Sequence, residues 1–60
     1  MMVKDVIAKS SVLGRPTVTL SKGVASGFYT VDAGSIGYLR TKDKQEAKEY
    51  YRACIELQLR

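Results

Sequence analysis

Apolar residues recur at spacings of three and four near the C-terminal end of the chain, within residues 43–60. This spacing places side chains on one face of an α-helix, and such a face normally packs on a core. We therefore predict a helix over residues 43–60 with one buried face. The residues assigned to that face are Ala47, Tyr50, Cys54 and Leu57.

An acidic pair marks the start of this helix. Asp43 stands three residues before Glu46. This spacing fits a capping box, in which the first side chain accepts from an early backbone N–H and the second side chain reaches back. The predicted helix therefore begins at Asp43, to within about two residues.

Three shorter stretches upstream alternate polar and apolar residues, as half-buried strands do. They cover residues 17–21, 28–33 and 36–41. The links between them are short and rich in glycine and other small residues, so consecutive strands are predicted to pair antiparallel. Gly34 is expected to take a positive φ in the second turn.

The N-terminal segment, residues 2–13, fits two structures. Val3, Val6 and Ile7 suit a short helix that ends at Gly14, while the β-branched residues of the segment also suit a strand. The strand or extended form is preferred here. Both alternatives stay open at this point.

Alternation divides the side chains of the predicted strands between two faces of a sheet, in one of two registers. The preferred register points these residues toward the helix: Val18, Leu20, Tyr29, Val31 and Leu39. It leaves these on the other face: Thr17, Thr19, Phe28, Thr30, Asp32, Ile36, Tyr38 and Arg40. That second face is unusually apolar because of Phe28, Ile36 and Tyr38, so we expect the N-terminal segment, a second subunit or a ligand to cover it. Packing under the N-terminal segment is the preferred interpretation for Phe28 and Tyr38.

These elements predict a single α+β domain over residues 1–60. An antiparallel sheet of three or four strands occupies residues 17–41 and packs on one C-terminal helix at 43–60. Residues 1–16 form an N-terminal segment that joins or covers the sheet. A domain this small buries only about 60% of the surface that its unfolded chain exposes, so a partner would help to stabilise it.

Composition mainly excludes certain kinds of site and of protein. With one cysteine and no histidine, the chain has neither an internal disulfide nor a usual zinc ligand set, and Cys54 lacks the base that a nucleophile needs. The acidic residues are scattered, so we expect no catalytic residues, no cofactor and no metal, and the protein is not predicted to be an enzyme. Charges interrupt the N-terminal residues and no long apolar run is present, which predicts a cytoplasmic chain without membrane contact.

The charge balance points toward polyanionic partners. Lys and Arg number 10 against 6 Asp and Glu, for a formal net charge of +4. Lys44, Lys48 and Arg52 recur at intervals of four along the predicted helix, where they form a basic column that could contact successive phosphates or simply be solvated. The full set of candidate nucleic-acid-binding residues is Lys22, Thr30, Tyr38, Arg40, Lys42, Lys44, Lys48 and Arg52.

Residues 17–60 resemble the arm-binding amino-terminal domain of tyrosine recombinases, a DNA-binding class related in shape to the plant ethylene-response-factor domain. The resemblance lies in three strands followed by a helix, with short motifs at residues 27–29, 37–39 and 44–47. In that family the sheet enters the major groove, which implies base-side roles for Thr30, Tyr38 and Arg40. Asp32 departs from the pattern, because it would also face the groove.

A second resemblance is to double-stranded-RNA-binding domains. The family carries a Lys-Lys-x-Ala-Lys signature at the start of its last helix, and residues 44–48 keep two of the three lysines. This resemblance requires residues 2–13 to be helical.

The first hypothesis is therefore a small basic nucleic-acid-binding domain, with DNA preferred over RNA. The alternative is a small protein-binding module, such as a phage-type inhibitor of a host or defence enzyme, that uses the apolar side of the sheet. Ile55 and Leu59 fall outside the predicted buried stripe and suggest a weak homodimer. The candidate interface residues are Phe28, Ile36, Ile55 and Leu59.

Overall fold

The computed structural model describes residues 4–60 and contains four strands and one helix. The strands are β1 (Lys4–Ser10), β2 (Val18–Gly23), β3 (Tyr29–Asp32) and β4 (Tyr38–Thr41), and the helix is α1 (Lys44–Gln58). All neighbouring strands pair antiparallel, in the order β1-β2-β3-β4. The predicted α+β fold, an antiparallel sheet packed on one C-terminal helix, is confirmed with four strands.

The N-terminal segment forms an edge strand of this sheet. β1 pairs with β2 from Lys4 opposite Gly23 to Ser10 opposite Val18, with a register shift between Val6 and Ala8. The strand alternative is thus confirmed for residues 4–10, and the helical alternative is wrong there. Because β1 lies beside β2, these residues do not cover the second face of the sheet, contrary to the preferred prediction. The part of that prediction that concerns residues 1–3 lies outside the described residues.

The turn between β3 and β4 is longer than the sequence pattern indicated, because it covers residues 33–37. Gly34 takes φ +60°, as expected, and the Ile36 N–H donates to the Ala33 carbonyl at 3.1 Å. The Asp32 side chain accepts from the Gly34 N–H at 3.1 Å. β4 begins only at Tyr38, so Ile36 belongs to the turn and its side chain packs against the core. The assignment of Ile36 to the second face was wrong because alternation holds only within a strand.

The core lies between the sheet and α1. Its buried apolar residues are Val18, Leu20, Val31, Ala33, Ala47 and Cys54. Tyr29 and Leu39 are half-buried and pack against this cluster. All five strand residues that were predicted to face the helix do so, because alternation along a strand sends every second side chain to the same side.

The helix begins as predicted, with Asp43 as its N-cap. One carboxylate oxygen of Asp43 accepts from the backbone N–H groups of Gln45 at 2.9 Å and Glu46 at 3.2 Å. The Asp43 N–H donates to the Thr41 hydroxyl at 3.1 Å, which is the role that the sequence pattern assigned to Glu46. The Asp43 half of the capping box is confirmed, and Thr41 supplies the other bond.

The buried stripe of α1 is rotated from the predicted one. Ala47, Cys54 and Gln58 are buried, Ile55 packs against the core, and Leu57 is 47% exposed. The inward assignment of Leu57 and the outward assignment of Ile55 were therefore both wrong. Each residue turns a helix by about 100°. Because Gln58 rather than Leu57 faces the core, the centre of the buried face lies closer to Ile55 than predicted.

Gln58 explains this rotation. Its side-chain oxygen accepts from the Ser10 hydroxyl at 2.8 Å, and its side-chain nitrogen donates to the carbonyls of Ser10 at 2.9 Å and Pro16 at 2.8 Å. A buried amide with three partners avoids most of the cost of desolvation. The end of α1 is thereby joined to the end of β1 and to the loop that follows it.

Candidate nucleic-acid interface

The two faces of the sheet follow from the cross-strand register. One row of opposite residues runs Lys9, Thr19, Asp32, Tyr38, and a second row runs Val6, Ser21, Thr30, Arg40. These rows alternate with the Ala8, Leu20, Val31, Leu39 row that packs toward α1. Their side chains therefore point away from the helix.

We call this side the open face, because α1 packs on the opposite side and residues 4–60 contain no further element that could form a layer over it. The described residues of the open face are Lys4, Val6, Lys9, Thr19, Ser21, Phe28, Thr30, Asp32, Tyr38 and Arg40. Tyr38 is 61% exposed. The face thus presents an aromatic ring and several cations to solvent.

A stack of cations on Phe28 lies at one end of the open face. The guanidinium carbon of Arg40 lies 4.3 Å from the centroid of the Phe28 ring, and the Lys42 ammonium lies 5.0 Å from the same centroid. The Phe28 ring is half-buried, and each such contact near the surface contributes about 0.5–1 kcal/mol. Because one ring holds both cations, their mutual repulsion is relieved when an anion binds beside them.

A cleft of about 140 Å³ opens on this face. Its lining residues are Lys4, Gly23, Ser26, Phe28, Thr30, Tyr38 and Arg40. The lining combines two aromatic rings, two cations and three hydroxyl groups. These groups can contact both the flat faces and the polar edges of a ligand.

The open face carries an excess of positive charge. Lys4, Lys9 and Arg40 lie on it, and Lys42 joins it through Phe28. The opposing carboxylate among its described residues is Asp32, which already accepts a hydrogen bond from the Gly34 N–H. An anionic ligand therefore meets net attraction across the face.

The predicted site residues fall on two different layers. Thr30, Tyr38 and Arg40 share the open face with Lys42 beside them, as the resemblance to the recombinase domain implies for the first three. Lys44, Lys48 and Arg52 are exposed on α1, in the layer on the other side of the sheet. The structure brings the first group together and places the second group apart from it.

Lys22 also lies away from the open face. It is opposite Tyr29 in the register, and its ammonium lies 5.5 Å from the centroid of that ring. This row belongs to the side of the sheet that carries α1, since Tyr29 packs against the core. Lys22 therefore lies on the helix side of the sheet rather than among the open-face cations.

Sequence reasoning missed Lys4 and Lys9 as site residues. Both lie on β1, and the register places both on the open face. The spacing of five residues between them does not match a strand period of two, because the bulge between Val6 and Ala8 adds a residue. A bulge of this kind leaves no reliable signal in a single sequence.

The predicted interface residues are also divided. Phe28 lies on the open face, and Leu59 is 66% exposed at the end of α1. Ile36 and Ile55 pack against the core instead, so they are not available as an exposed interface. The apolar pair of Ile55 and Leu59, on which the homodimer prediction rested, does not form one surface patch. A homodimer itself stays a prediction.

Cys54 is a buried thiol on the inner side of α1. Burial raises the pKa of this thiol above its ordinary value, and a side-chain hydrogen bond with Tyr50 partly opposes the rise. The thiol is therefore protonated at neutral pH and packs as a small apolar group. Within residues 4–60, no three acidic, His or Cys side chains lie close enough together to hold a metal ion.

α1 is too short and too polar to cross a lipid bilayer, and residues 4–60 contain no other helix. Comparisons of the chain with protein-family models, curated proteins and solved structures gave no significant match. The resemblances to the recombinase and double-stranded-RNA-binding families stay predictions. The helix that the second family requires over residues 2–13 is absent from residues 4–10, which form β1.

Proposed function

We propose that this protein is a nucleic-acid-binding domain that uses the open face of its sheet. The observation that carries the proposal is the uncovered face itself, where an exposed tyrosine and a cation-covered phenylalanine lie among four cations. Phosphates neutralise the cations, and the aromatic rings supply surface for bases or sugars. DNA is preferred over RNA, as the recombinase resemblance implies.

The proposal assigns the main phosphate contacts to Lys4, Lys9, Arg40 and Lys42. Neutralising about four phosphates gives a log–log dependence of affinity on salt with a slope of about −3 to −4. The slope is measured by titrating a labelled DNA at several salt concentrations. Binding that is absent at low salt, or that does not respond to salt, would contradict the proposal.

A matched pair of double variants separates the two basic groups. Arg40→Glu with Lys42→Glu reverses two charges on the open face, and Lys44→Glu with Lys48→Glu reverses two on the helix. Both variants change the net charge equally, so any difference in affinity reports position. We expect the open-face variant to lose at least about tenfold more affinity than the helix variant, because charges in contact with phosphate act most strongly.

The opposite order of effects would assign binding to the helix column of Lys44, Lys48 and Arg52, as the basic pattern in the sequence suggested. Equal and small effects from both variants would contradict specific phosphate contacts on either layer. Competition between duplex DNA and duplex RNA of the same sequence tests the DNA preference directly.

A protein-binding module is the second candidate function, and the outer edge of β1 favours it. β1 is the first strand in the sheet order, and both Val6 and Ile7 are exposed. A partner could add a strand to such an edge or cover the open face. For a partner that covers the open face, Tyr38→Ala abolishes capture of that protein and leaves weak, salt-sensitive nucleic-acid binding intact.

A further inference from the structure

The arrangement of the open face also bears on which form of nucleic acid it accepts. We infer that the open face binds single-stranded DNA and seats an unpaired base in the cleft that Phe28, Tyr38 and Arg40 line. This inference rests on the proposed function. It is carried by the width of the sheet, the placement of its cations and the surroundings of Arg40.

The sheet is too wide for the whole open face to enter a DNA groove. Strands lie about 4.8 Å apart, so the outer strands of a four-stranded sheet are separated by about 14 Å. The major groove of B-form DNA is about 12 Å wide and accepts a helix or a two-stranded ribbon. β1 is the strand that the three-stranded resemblance did not include, and it is what makes the sheet exceed this width.

The cations of the open face lie along both outer strands. Lys4 and Lys9 are on β1, while Arg40 is on β4 and Lys42 directly follows it. A ligand that neutralises both sets has to cross the face from β1 to β4. A flexible single strand can follow this path with its phosphates on the cations and its bases turned toward the sheet.

The stacking groups of the face suit an unpaired base. Tyr38 and Arg40 are two residues apart on β4, which separates their Cα atoms by about 6.6 Å. This is about twice the 3.4 Å spacing of stacked bases, so the backbone spacing of the two residues suits one planar base between their side chains. In a duplex both faces of each base are covered by neighbouring pairs, so only an unpaired base can use this gap.

Phe28 lines the same cleft and contacts Arg40. The Phe28 ring lies near Lys42 along the sheet, because Tyr29 is opposite Thr41 in the register. Its ring contacts the Arg40 guanidinium at 4.3 Å. Phe28 thus steadies the guanidinium in advance of binding, which lowers the entropy lost when a base stacks on it. Thr30, Ser26 and Lys4 line the same cleft and can donate to the polar edge of the base.

The test compares one labelled DNA strand of about twelve nucleotides, chosen to lack secondary structure, with its duplex. Fluorescence anisotropy at a fixed, low salt concentration gives the affinity of the complete chain for each form. We expect the single strand to bind at least about tenfold more tightly than the duplex. Tyr38→Ala should weaken binding of the single strand by about tenfold or more, and it should weaken binding of the duplex much less, because paired bases have no free face for the ring.

Tyr38→Phe is the matched control, because it keeps the ring and removes only the hydroxyl group. It should bind the single strand within about twofold of the parent chain. Circular dichroism of each variant checks that the fold is intact, which is expected because Tyr38 is exposed. A duplex that binds as tightly as the single strand, or a Tyr38→Ala variant that binds it normally, overturns the inference and leaves the proposed function standing. Absence of binding to both forms overturns the proposed function as well.

Discussion

The two faces of one sheet have opposite chemistry although the same strands build both. On the covered face, Val18, Leu20 and Val31 are buried under α1. On the open face, Thr30, Tyr38 and Arg40 occupy neighbouring positions in the same strands and stay accessible. A single step along a strand therefore moves a side chain from a site that determines stability to a site that is free to bind a ligand.

This comparison shows how a 60-residue chain keeps one face of its sheet for folding and leaves the other accessible. The covered face uses β-branched and small residues that fill the space under the helix, so a change of volume or polarity there lowers stability. The open face is uncovered, so its residues contribute less to stability and can be selected for charge and aromatic surface. Changes at adjacent positions on one strand should separate the two roles.

The largest expected effect is that of a charge placed on the covered face. Val31→Asp puts a carboxylate at a fully buried position between Leu20 and Leu39. We expect a loss of more than about 4 kcal/mol in the free energy of unfolding, since no partner for the charge lies in this apolar row. A domain of this size has only about 3–5 kcal/mol to lose, so the variant should be unfolded by circular dichroism at 25 °C.

The neighbouring variant Thr30→Asp is the control for the other face. It adds the same carboxylate one residue away, on the open face beside Arg40. The free energy of unfolding should change by less than about 1 kcal/mol, while affinity for DNA falls. A folded Val31→Asp protein, or an unfolded Thr30→Asp protein, would show that the two faces are assigned the wrong way round.

The next largest effect is expected at Gln58, whose side chain joins the end of α1 to the end of β1. Gln58→Ala removes three hydrogen bonds and leaves the carbonyls of Ser10 and Pro16 without this partner. We expect a loss of about 2–3 kcal/mol in unfolding free energy, measured by urea denaturation. Gln58→Leu should be destabilising too, because the lost hydrogen bonds rather than the lost volume set the cost.

Gln45→Ala is the matched glutamine control. Its side chain is exposed and donates to Glu49 at 3.4 Å, so the change should stay within about 0.5 kcal/mol. Equal effects at the two positions would indicate that Gln58 does not tie α1 to β1.

A smaller effect is expected at the start of the helix that covers the sheet. Asp43→Ala removes the acceptor for the N–H groups of Gln45 and Glu46. The free energy of unfolding should fall by about 1 kcal/mol, and Asp43→Asn should restore most of it because an amide oxygen also caps well. Single-strand affinity should not change, which separates helix stability from the open face.

The smallest expected effect is the pH dependence that comes from Cys54 on the covered face. Its thiol pKa is raised by burial, so the folded chain holds this proton more tightly than the unfolded chain does. The resulting stabilisation is complete below the ordinary thiol pKa of about 8.5 and is lost as the pH rises through the folded-state value. Stability should therefore fall more steeply above pH about 8.5 in the parent chain than in Cys54→Ala. Parallel curves for the two proteins would contradict this account.

Several features of the fold and of the site were predictable from local patterns. Alternation identified Val18, Leu20 and Val31 as inward-facing, and the acidic residue at position 43 was recognised as the helix cap. The same alternation placed Thr30, Tyr38 and Arg40 together on the other side. Each of these inferences depends on residues within one element or one turn, where spacing determines direction.

The errors occurred where a distant partner decides the position of a side chain. Gln58 was not counted among inward residues because it is polar, yet partners at Ser10 and Pro16 make it the most completely satisfied side chain of the helix interior. This one contact moved Ile55 inward and Leu57 outward. Hydrophobic periodicity depends only on the spacing of apolar residues. It therefore cannot detect a hydrogen-bond acceptor 48 residues away in the sequence.

The sequence by itself determined the presence of strands β2 to β4 and of helix α1, the cap of that helix and the inward residues of the strands, because short-range spacing and hydrogen bonding specify them. The tertiary structure alone decided that residues 4–10 join the sheet as an edge strand, that Lys4 and Lys9 share a face with Arg40, and that this face lies uncovered. Pairing of distant strands depends on the combined packing of the whole chain. No local pattern in β1 indicates that it pairs with β2. The bulge also interrupts the alternation that would otherwise assign the β1 side chains to the two faces of the sheet.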